Sequence, residues 1–460
     1  MSVQMDVLAA TRATAGKLVG DNAMFCGVST DSRTIAPGEL FIALRGEHFD
    51  GHAYLAAAKA RGAVAAIVAA DAGECVSVGD FPLVQVADTR LSLGALAADW
   101  RSRFTLSLIA VTGSNGKTTT KEMIASILRA AFGEAVLATR GNYNNDIGLP
   151  LTLLRLNATH RAAIVEMGMN HPGEIAYLAG IARPTVAVIT NAQRAHLAGM
   201  GSLEAIAREK GSIFTGLDEQ GIAVINADDS WAGLWQTQSR GLEVMTFGCE
   251  QRADVTGKVH RHGLESRLGV SAPGGEFEVV LALPGEHNAR NALAAATACL
   301  AAGVPIAAVQ AGLTRFRGLK GRLQQRAAVH GAVLLDDTYN ANPDSVRAGI
   351  DVLAATIGKK IIVLGDMGEI GDMTAQFHDE IGGYAKSQGI DRLFALGEAS
   401  ALAARNFGAG GEHYAQVERL IDALCAELTP GTTVLVKASR FMRMERVADA
   451  ICAPVPAEGD

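Results

Sequence analysis

The sequence predicts an α/β protein of three domains, and three observations carry that prediction. At 460 residues the chain is too long for a single core. Short apolar runs ending in polar residues alternate with helical stretches along most of its length, the pattern of parallel sheets. One run, "LSLIAVTGSNGKTTTKEMIASILRAAF" from Leu106 to Phe132, reads as a buried strand, a glycine turn and a helix. The expected architecture is a small amino-terminal α/β unit, a central P-loop domain on a parallel sheet, and a carboxy-terminal Rossmann-like domain.

The first unit is placed at residues 1–104. It holds strand-like "ELFIALRG", "AVAAIVA" and "FPLVQVAD", with helical "HAYLAAAKARG" and "LSLGALAADW". The second, 105–318, opens with the strand at Leu106 and continues with "AAIVEMG", "TVAVITN" and "GIAVINADD", so ligands are expected at the strand carboxyl ends. "DVTGKVHRHGLESRLGV" and "EFEVVLALPG" alternate at period two and predict an antiparallel edge. Ala-rich helices reaching Phe316 close this unit. "RGLKGRLQQ" has glycine, charge and no periodicity, and reads as a linker over Gly318–Gln324. The third unit, 319–460, repeats the rhythm with "AVLLDD", "KKIIVLGDM", "DRLFALG" and "TTVLVKAS".

Composition narrows the function classes. Apolar residues are 49% and charged residues 19%, as in globular proteins. The net charge is −7 with no long run of either sign, which excludes a general nucleic-acid grip and leaves small anionic substrates open. The six cysteines (Cys26, Cys75, Cys249, Cys299, Cys425, Cys452) are scattered without C-x-x-C, as expected in a reducing compartment. The start of the chain lacks a basic segment followed by an apolar one, so no signal peptide is read. The uncharged run from Asn291 to Thr314 is mostly Ala and is broken by Gly303 and Pro305, which predicts two soluble helices rather than a membrane span. A cytoplasmic protein is expected.

The turn in "TGSNGKTTT" ends in Gly116-Lys117-Thr118. The first glycine of the usual G-x-x-x-x-G-K-[ST] pattern is absent, because Val111 stands there and Gly113 comes two residues later. The loop amides and the helix N-terminus would hold phosphate oxygens, Lys117 would reach the β- and γ-phosphates, and the Thr118 hydroxyl would bind Mg²⁺. An ordinary glycine turn is the plainer alternative. Glu166 ends the strand "AAIVEMG" and His196 follows "AVITNAQRAH", both on the ligand edge of the sheet. A carboxylate suits Mg²⁺, while imidazole is a less usual ligand for it. Taken alone, the two read equally as a helix cap and a surface histidine. Lys210, in "AIAREKGSIF", reads alone as a solvated helix lysine, and an ammonium ligates no metal.

With these residues in view, the sequence resembles the Mur ligase family of ATP-dependent amide-forming enzymes of peptidoglycan precursor synthesis. "TGSNGKTTT" is similar to that family's shortened loop, and further motifs follow in the family's order over nearly the whole chain. The resemblance implies that "STDSRTIAPGELFIALRGEHFDGH" meets a uridine nucleotide through Ser29, Ser32, Arg33 and Phe49, Asp50, Gly51 and His52. "TRGNYNNDIGLPLTLL" matches the segment for the muramoyl part, through Asn142, Asn144 and Asn145. The nucleotide set becomes Gly113, Ser114, Asn115, Gly116, Lys117, Thr118 and Thr119, with Asn288 and Asn291 of "PGEHNARNALAAA", Arg322, and Asp336 or Asp337 for the ribose. "LLDDTYNANPDS", "VLGDMGEIGD" and "VLVKASRFMRME" resemble the member that adds D-alanyl-D-alanine, with Asn340, Asn342, Ser439 and Arg440 for the dipeptide; the "DNPR" string of the sister ligase does not occur.

Lys210 falls where the family carries an N-carboxylated lysine. The resemblance therefore makes Thr118, Glu166, His196 and the Lys210 carbamate companions around Mg²⁺, with Lys117 beside them. Three strings depart from the family: "KGSIF" has Ser212 for Glu, "KASRFM" has Ala438 and Phe441 for glycines, and "GDMGEIG" replaces "GDMLELG". The implied protein is a monomeric, ADP-forming ligase using ATP and Mg²⁺ on UDP-N-acetylmuramoyl-tripeptide and D-alanyl-D-alanine. A sister Mur ligase, a folylpolyglutamate synthetase-like ligase, and a P-loop kinase or switch protein stay open as alternatives, as does a nucleotide-binding scaffold without turnover.

Overall fold

The computed structural model describes residues 3–47, 49–72 and 79–453, except the side chains of 261 and 262. Cys75 lies outside the described residues; the other five cysteines are free thiols.

The amino-terminal sheet has five strands. In chain order they are β1 (Lys17–Val19), β2 (Val28–Ser29), β3 (Leu40–Ile42), β4 (Ala65–Ala69) and β5 (Leu83–Val86), arranged β1-β5-β4-β3-β2. Its strands are parallel except β1. Helix α1 (Thr89–Arg101) leaves it, capped by the Asp88 carboxylate, and packs toward the central unit. There the buried Arg101 guanidinium donates to the carbonyls of Ala182, Phe104 and Arg183.

The central sheet has nine strands. Strand β6 (Ser107–Thr112) runs into the glycine turn and α2 (Lys117–Phe132). Then come β7 (Val136–Ala138), β8 (Ala162–Glu166), α3 (Glu174–Ala182), β9 (Val186–Ile189), α4 (Leu203–Gly211), β10 (Ile222–Asn226) and β11 (Glu243–Gly248). A meander of β12 (Val255–His262), β13 (Glu265–Ala272) and β14 (Gly275–Leu281) follows. The order is β7-β8-β6-β9-β10-β11-β12-β13-β14, parallel as far as β12 and antiparallel beyond. The period-two segments thus form the predicted antiparallel edge. Because β8 and β9 flank β6 on opposite sides, the chain reverses its winding there. The carboxyl end of β6 is the switch point, the position where open α/β sheets bind ligands.

The Ala-rich run forms two helices, α5 (Glu286–Ala301) and α6 (Ile306–Arg315), split by the Gly303–Pro305 turn. Among the described residues no helix is long and apolar enough to cross a membrane. Gly312 of α6 lies flat on α2: an added Cβ would stand 2.3 Å from the Ile127 Cα, and Ser126 Oγ donates to the Gly312 carbonyl at 2.7 Å. Gly312→Ala is therefore expected to separate the two backbones and cost about 1–3 kcal/mol. A thermal melt showing no loss would mean that this contact does not brace the helix carrying the glycine turn.

The carboxy-terminal sheet has six strands: β15 (Gln324–Ala327), β16 (Val333–Asp337), β17 (Lys359–Gly365), β18 (Arg392–Leu396), β19 (Gly411–Tyr414) and β20 (Thr432–Lys437). The order is β15-β16-β20-β17-β18-β19, parallel except at β15. Helices α7 (Pro343–Ala354) and α8 (Thr374–Ser387) cover one face. The segment read as a linker is not free chain. Leu319 and Arg322 bridge one another, and the Arg322 guanidinium lies 4.0 Å from the Tyr339 ring centroid.

Candidate active site

A cavity of about 520 Å³ opens where the carboxyl end of β6 faces the carboxyl ends of β16 and β20. Its floor is the turn from Ser114 to Thr119. Gly116 has φ +82°, a left-handed conformation that favours glycine, and a Cβ there would meet the Asn291 carboxamide at 2.1 Å. Gly113 lies behind the floor, where Thr190 Oγ1 would stand 1.8 Å from a Cβ. Both glycines are thus set by close approach of neighbouring strands and helices. Lys117, Thr118 and Thr119 of the first turn of α2 line the cavity, and the first-turn amides of a helix are the groups that bind phosphate.

Lys117 Nζ donates to the carbonyls of Gly113 (2.6 Å) and Ser114 (3.2 Å). Desolvation lowers its pKa, while the nearby Glu166 carboxylate pulls the other way. Thr118 Oγ1 accepts from Arg322 Nη2 at 2.9 Å. Glu166 pairs with Val111 in the sheet register and so ends its strand beside the start of the loop. Its Oε1 accepts from Asn144 Nδ2 at 2.8 Å, and its Oε2 is buried without a partner. His196 adopts a left-handed backbone, φ +59°, and its Nδ1 meets Glu369 Oε2 at 2.9 Å. That contact holds the Glu369 carboxyl below its usual range against the opposing effect of burial.

Thr118, Glu166 and His196 all line the cavity, and the unpartnered, buried Glu166 oxygen is a donor that suits a divalent cation. Among the described residues, however, no three His, Cys, Asp or Glu side chains are grouped to hold one. A further oxygen donor is needed.

Lys210 is not a solvated helix lysine. It is 1% exposed, four residues after the buried Ile206 on the same face of α4. Burial pushes its pKa well down, the Lys117 ammonium adds to this, and Glu209 offsets part of it. The two carboxylates nearest in sequence are engaged elsewhere. Glu209 accepts from the Gly173 and Ile175 amides at the start of α3, and Glu204 pairs with Arg208.

The cavity also gathers Asn142, Asn144 and Asn145, Asn288 and Asn291, and Arg322, Asp337, Asn340 and Asn342. Asn288 is tied to the Pro284 carbonyl. The structure separates the two aspartates: Asp337 lines the cavity and meets Lys437 Nζ at 2.5 Å, whereas Asp336 is sealed beneath it with Arg326. Asn342 caps α7 through the Ser345 amide and exchanges hydrogen bonds with Asn115. Its carboxamide is therefore engaged with the loop and its own helix. Ser439 lies outside the cavity lining, donating to the Ala341 carbonyl and accepting from the Gly368 amide. Arg440 is on the surface with Glu445.

The amino-terminal candidates form a separate group. Ser29 closes a turn with Asp31, and Ser32 is buried. Arg33 is exposed and pairs with Asp31, holding that carboxyl down to about 2. Phe49 stacks on Tyr54 at 5.9 Å. Asp50 caps the turn Gly51–Tyr54 and meets His52 Nδ1. His52 Nε2 accepts from the Ala69 amide. Gly51 is required by contact, since a Cβ would stand 2.8 Å from the Leu44 carbonyl oxygen.

Sequence reasoning missed Glu369, Lys437 and Arg90, whose guanidinium reaches Asp146 from the amino-terminal unit. Only Lys437 had a readable signal, since it ends an apolar strand.

Comparison with known proteins fits this geometry. The Mur ligase catalytic domain matches residues 25–101, the middle domain 111–299, and the glutamate ligase domain 321–440. The chain belongs to the Mur ligase family. It is 41% identical to the UDP-N-acetylmuramoyl-tripeptide–D-alanyl-D-alanine ligase of Escherichia coli K12, over 95% of this chain and 96% of that one. Its fold is similar to a crystal structure of MurF from Acinetobacter baumannii, with TM-score 0.91, 34% identity and coverage of 98% and 99%. It is also similar to the MurF ligase of Thermotoga maritima in complex with ADP, with TM-score 0.80, 28% identity and coverage of 92% and 96%.

Proposed function

We propose that this chain joins D-alanyl-D-alanine to UDP-N-acetylmuramoyl-tripeptide, with ATP converted to ADP and phosphate. The observation that carries the reading is end-to-end similarity to the Escherichia coli ligase, in a chain whose phosphate-type loop faces a third domain across one cavity. In this reading residues 1–104 bind the uridine nucleotide, 105–318 bind ATP and 319–460 receive the dipeptide.

The tripeptide carboxylate attacks the ATP γ-phosphorus, the bond to the β–γ bridging oxygen breaks, and an acyl phosphate and ADP result. The dipeptide amine then attacks the acyl carbon, phosphate leaves, and the amine loses a proton. Lys117 and the loop amides hold the phosphates and offset the charge of the anions brought together. Asn142, Asn144 and Asn145 line the approach for the muramoyl part. Asp337, fixed by Lys437, faces the ribose. Closing the third domain over the loop brings the amine to the acyl group and keeps water from it. Thr118, Glu166, His196 and a carboxylated Lys210 would hold Mg²⁺, which supplies charge neutralisation at the transferring phosphoryl group.

Phosphate release measured with UDP-muramoyl-tripeptide, with and without D-alanyl-D-alanine, tests the reading. Release that ignores the dipeptide would exclude it and favour a kinase- or switch-like use of the loop.

We also propose that the third domain moves as a rigid body about Gly318–Gln324. In this reading the substrate sites lie on separate domains, and in the segment Arg322 grips the loop through Thr118. Solution scattering is expected to show a more compact particle with an ATP analogue and the nucleotide substrate bound. Superimposable profiles at saturation would count against closure.

A further inference from the structure

Arg194 lies on the loop after β9, next to cavity residues but outside the cavity lining. It belongs to the central unit, yet its guanidinium is spent on the carboxy-terminal one. Nε and Nη2 donate to Asp344 Oδ1 at 3.0 and 2.6 Å, and the Arg194 backbone amide donates to Asp344 Oδ2 at 2.8 Å. Nη1 reaches Glu380 at 3.3 Å, and the plane lies 5.1 Å from the Phe377 ring centroid. Asp344 sits in the first turn of α7, and Phe377 and Glu380 sit on α8. One arginine thus grips two helices of the opposite unit. Both it and Asp344 are only 21% exposed, so the pair is partly shielded from water.

The grip is continuous with the phosphate-type loop. Gln193, the preceding residue, exchanges hydrogen bonds with Ser114 and accepts from Asn115 Nδ2 at 2.6 Å. Asn115 in turn exchanges hydrogen bonds with Asn342, the cap of α7. The loop, the Arg194 segment and the start of α7 therefore form one network across the domain interface. Asp337 ends β16 and Asn340 lies in the short turn between that strand and α7, so the first turn of α7 bears on where Asn340 stands relative to the loop.

We propose that Arg194 is a positioning residue: an ion-pair latch that holds the third domain closed and sets the start of α7 over the phosphate-type loop. It acts through Asp344 and Glu380 and touches no reacting atom. The proposal rests on the ligase reading above for why closure matters.

The test is a double-mutant cycle of Arg194→Ala and Asp344→Asn, with Arg194→Lys as the conservative variant, all made in the full chain. Arg194→Ala is expected to raise the KM for the dipeptide about tenfold or more, the scale of a shielded arginine–carboxylate pair, with the affinity for an ATP analogue little changed. Its scattering profile with ATP analogue and nucleotide substrate should remain more open than that of the unaltered protein. The double variant should be no worse than the worse single one. Arg194→Lys should recover part of the loss, because a lysine keeps the charge and loses the fork. Equal compaction in Arg194→Ala, or losses that add in the double variant, would overturn the latch. The scattering arm is independent of the dipeptide. An unaltered protein that shows no dipeptide-dependent phosphate release would sink the ligase reading while leaving the latch to be judged on compaction.

Discussion

Lys117→Ala is expected to abolish phosphate release, by about 10²–10³-fold or more, the loss typical when one preorganised charge or donor is removed from a reacting centre. The ammonium sits at the first residue of α2 and donates to two carbonyls of its own loop. Those contacts hold it over the loop without anchoring the core. It is desolvated already, so its field is little screened by water. It is also dispensable for folding. Removing the Lys117 side chain takes no apolar group from the core, and the loop keeps its shape through Gly113, Gly116 and the Asn115–Thr190 contacts. Thermal stability should stay within about 1 kcal/mol of the unaltered protein. Turnover near the unaltered rate would remove the phosphate-loop assignment altogether.

What the sequence disclosed follows the range of the interactions involved. The β6–turn–α2 unit was legible because apolar strand, glycine turn and helix are local patterns, and the parallel sheets because each strand is a short apolar run. Two strands of the central sheet, β7 and β11, were not. Val136–Ala138 is only three residues long, and Glu243–Gly248 begins exposed on both faces, so neither has a period to detect. In the site, Glu166 and Asp337, which end apolar strands, were found and Lys437, which ends another, was not, whereas Arg90, Glu369 and the neighbouring Arg194 owe their places to domain packing, which no local window records. Asp336 and Asp337 are equivalent in sequence. Strand alternation separates them, one facing the core with Arg326 and the other the cavity with Lys437. Lys210 carried a signal that charge pattern obscured. "REKG" reads as a solvated stretch, but helical spacing from Ile206 puts this lysine on the buried face.

That burial leads to the second large expected effect. Lys210→Ala should lose most activity, at least about 100-fold, the scale on which metal sites fail when their support is removed. A buried ammonium beside the Lys117 ammonium is electrostatically poor, with Glu209 committed to the amides of α3. Both effects favour the neutral amine, and a neutral amine can attack CO₂: the Nζ–C bond forms, one proton leaves, and an anionic carbamate remains. Repulsion from Lys117 then becomes attraction, and the carbamate would supply the further oxygen donor. Lys210→Met keeps most of the side-chain volume and should be as inactive as the alanine variant while remaining folded. A small carboxylate such as formate or acetate should restore part of the activity of Lys210→Ala by taking the carbamate's place. Labelling with ¹³C-bicarbonate should give a carbamate resonance in the unaltered protein that is absent from both variants. Because protonation of the amine blocks the addition, that resonance should fade as pH falls through the lowered lysine pKa. An active Lys210→Ala enzyme, or an active unaltered enzyme with no such resonance, would refute the carbamate.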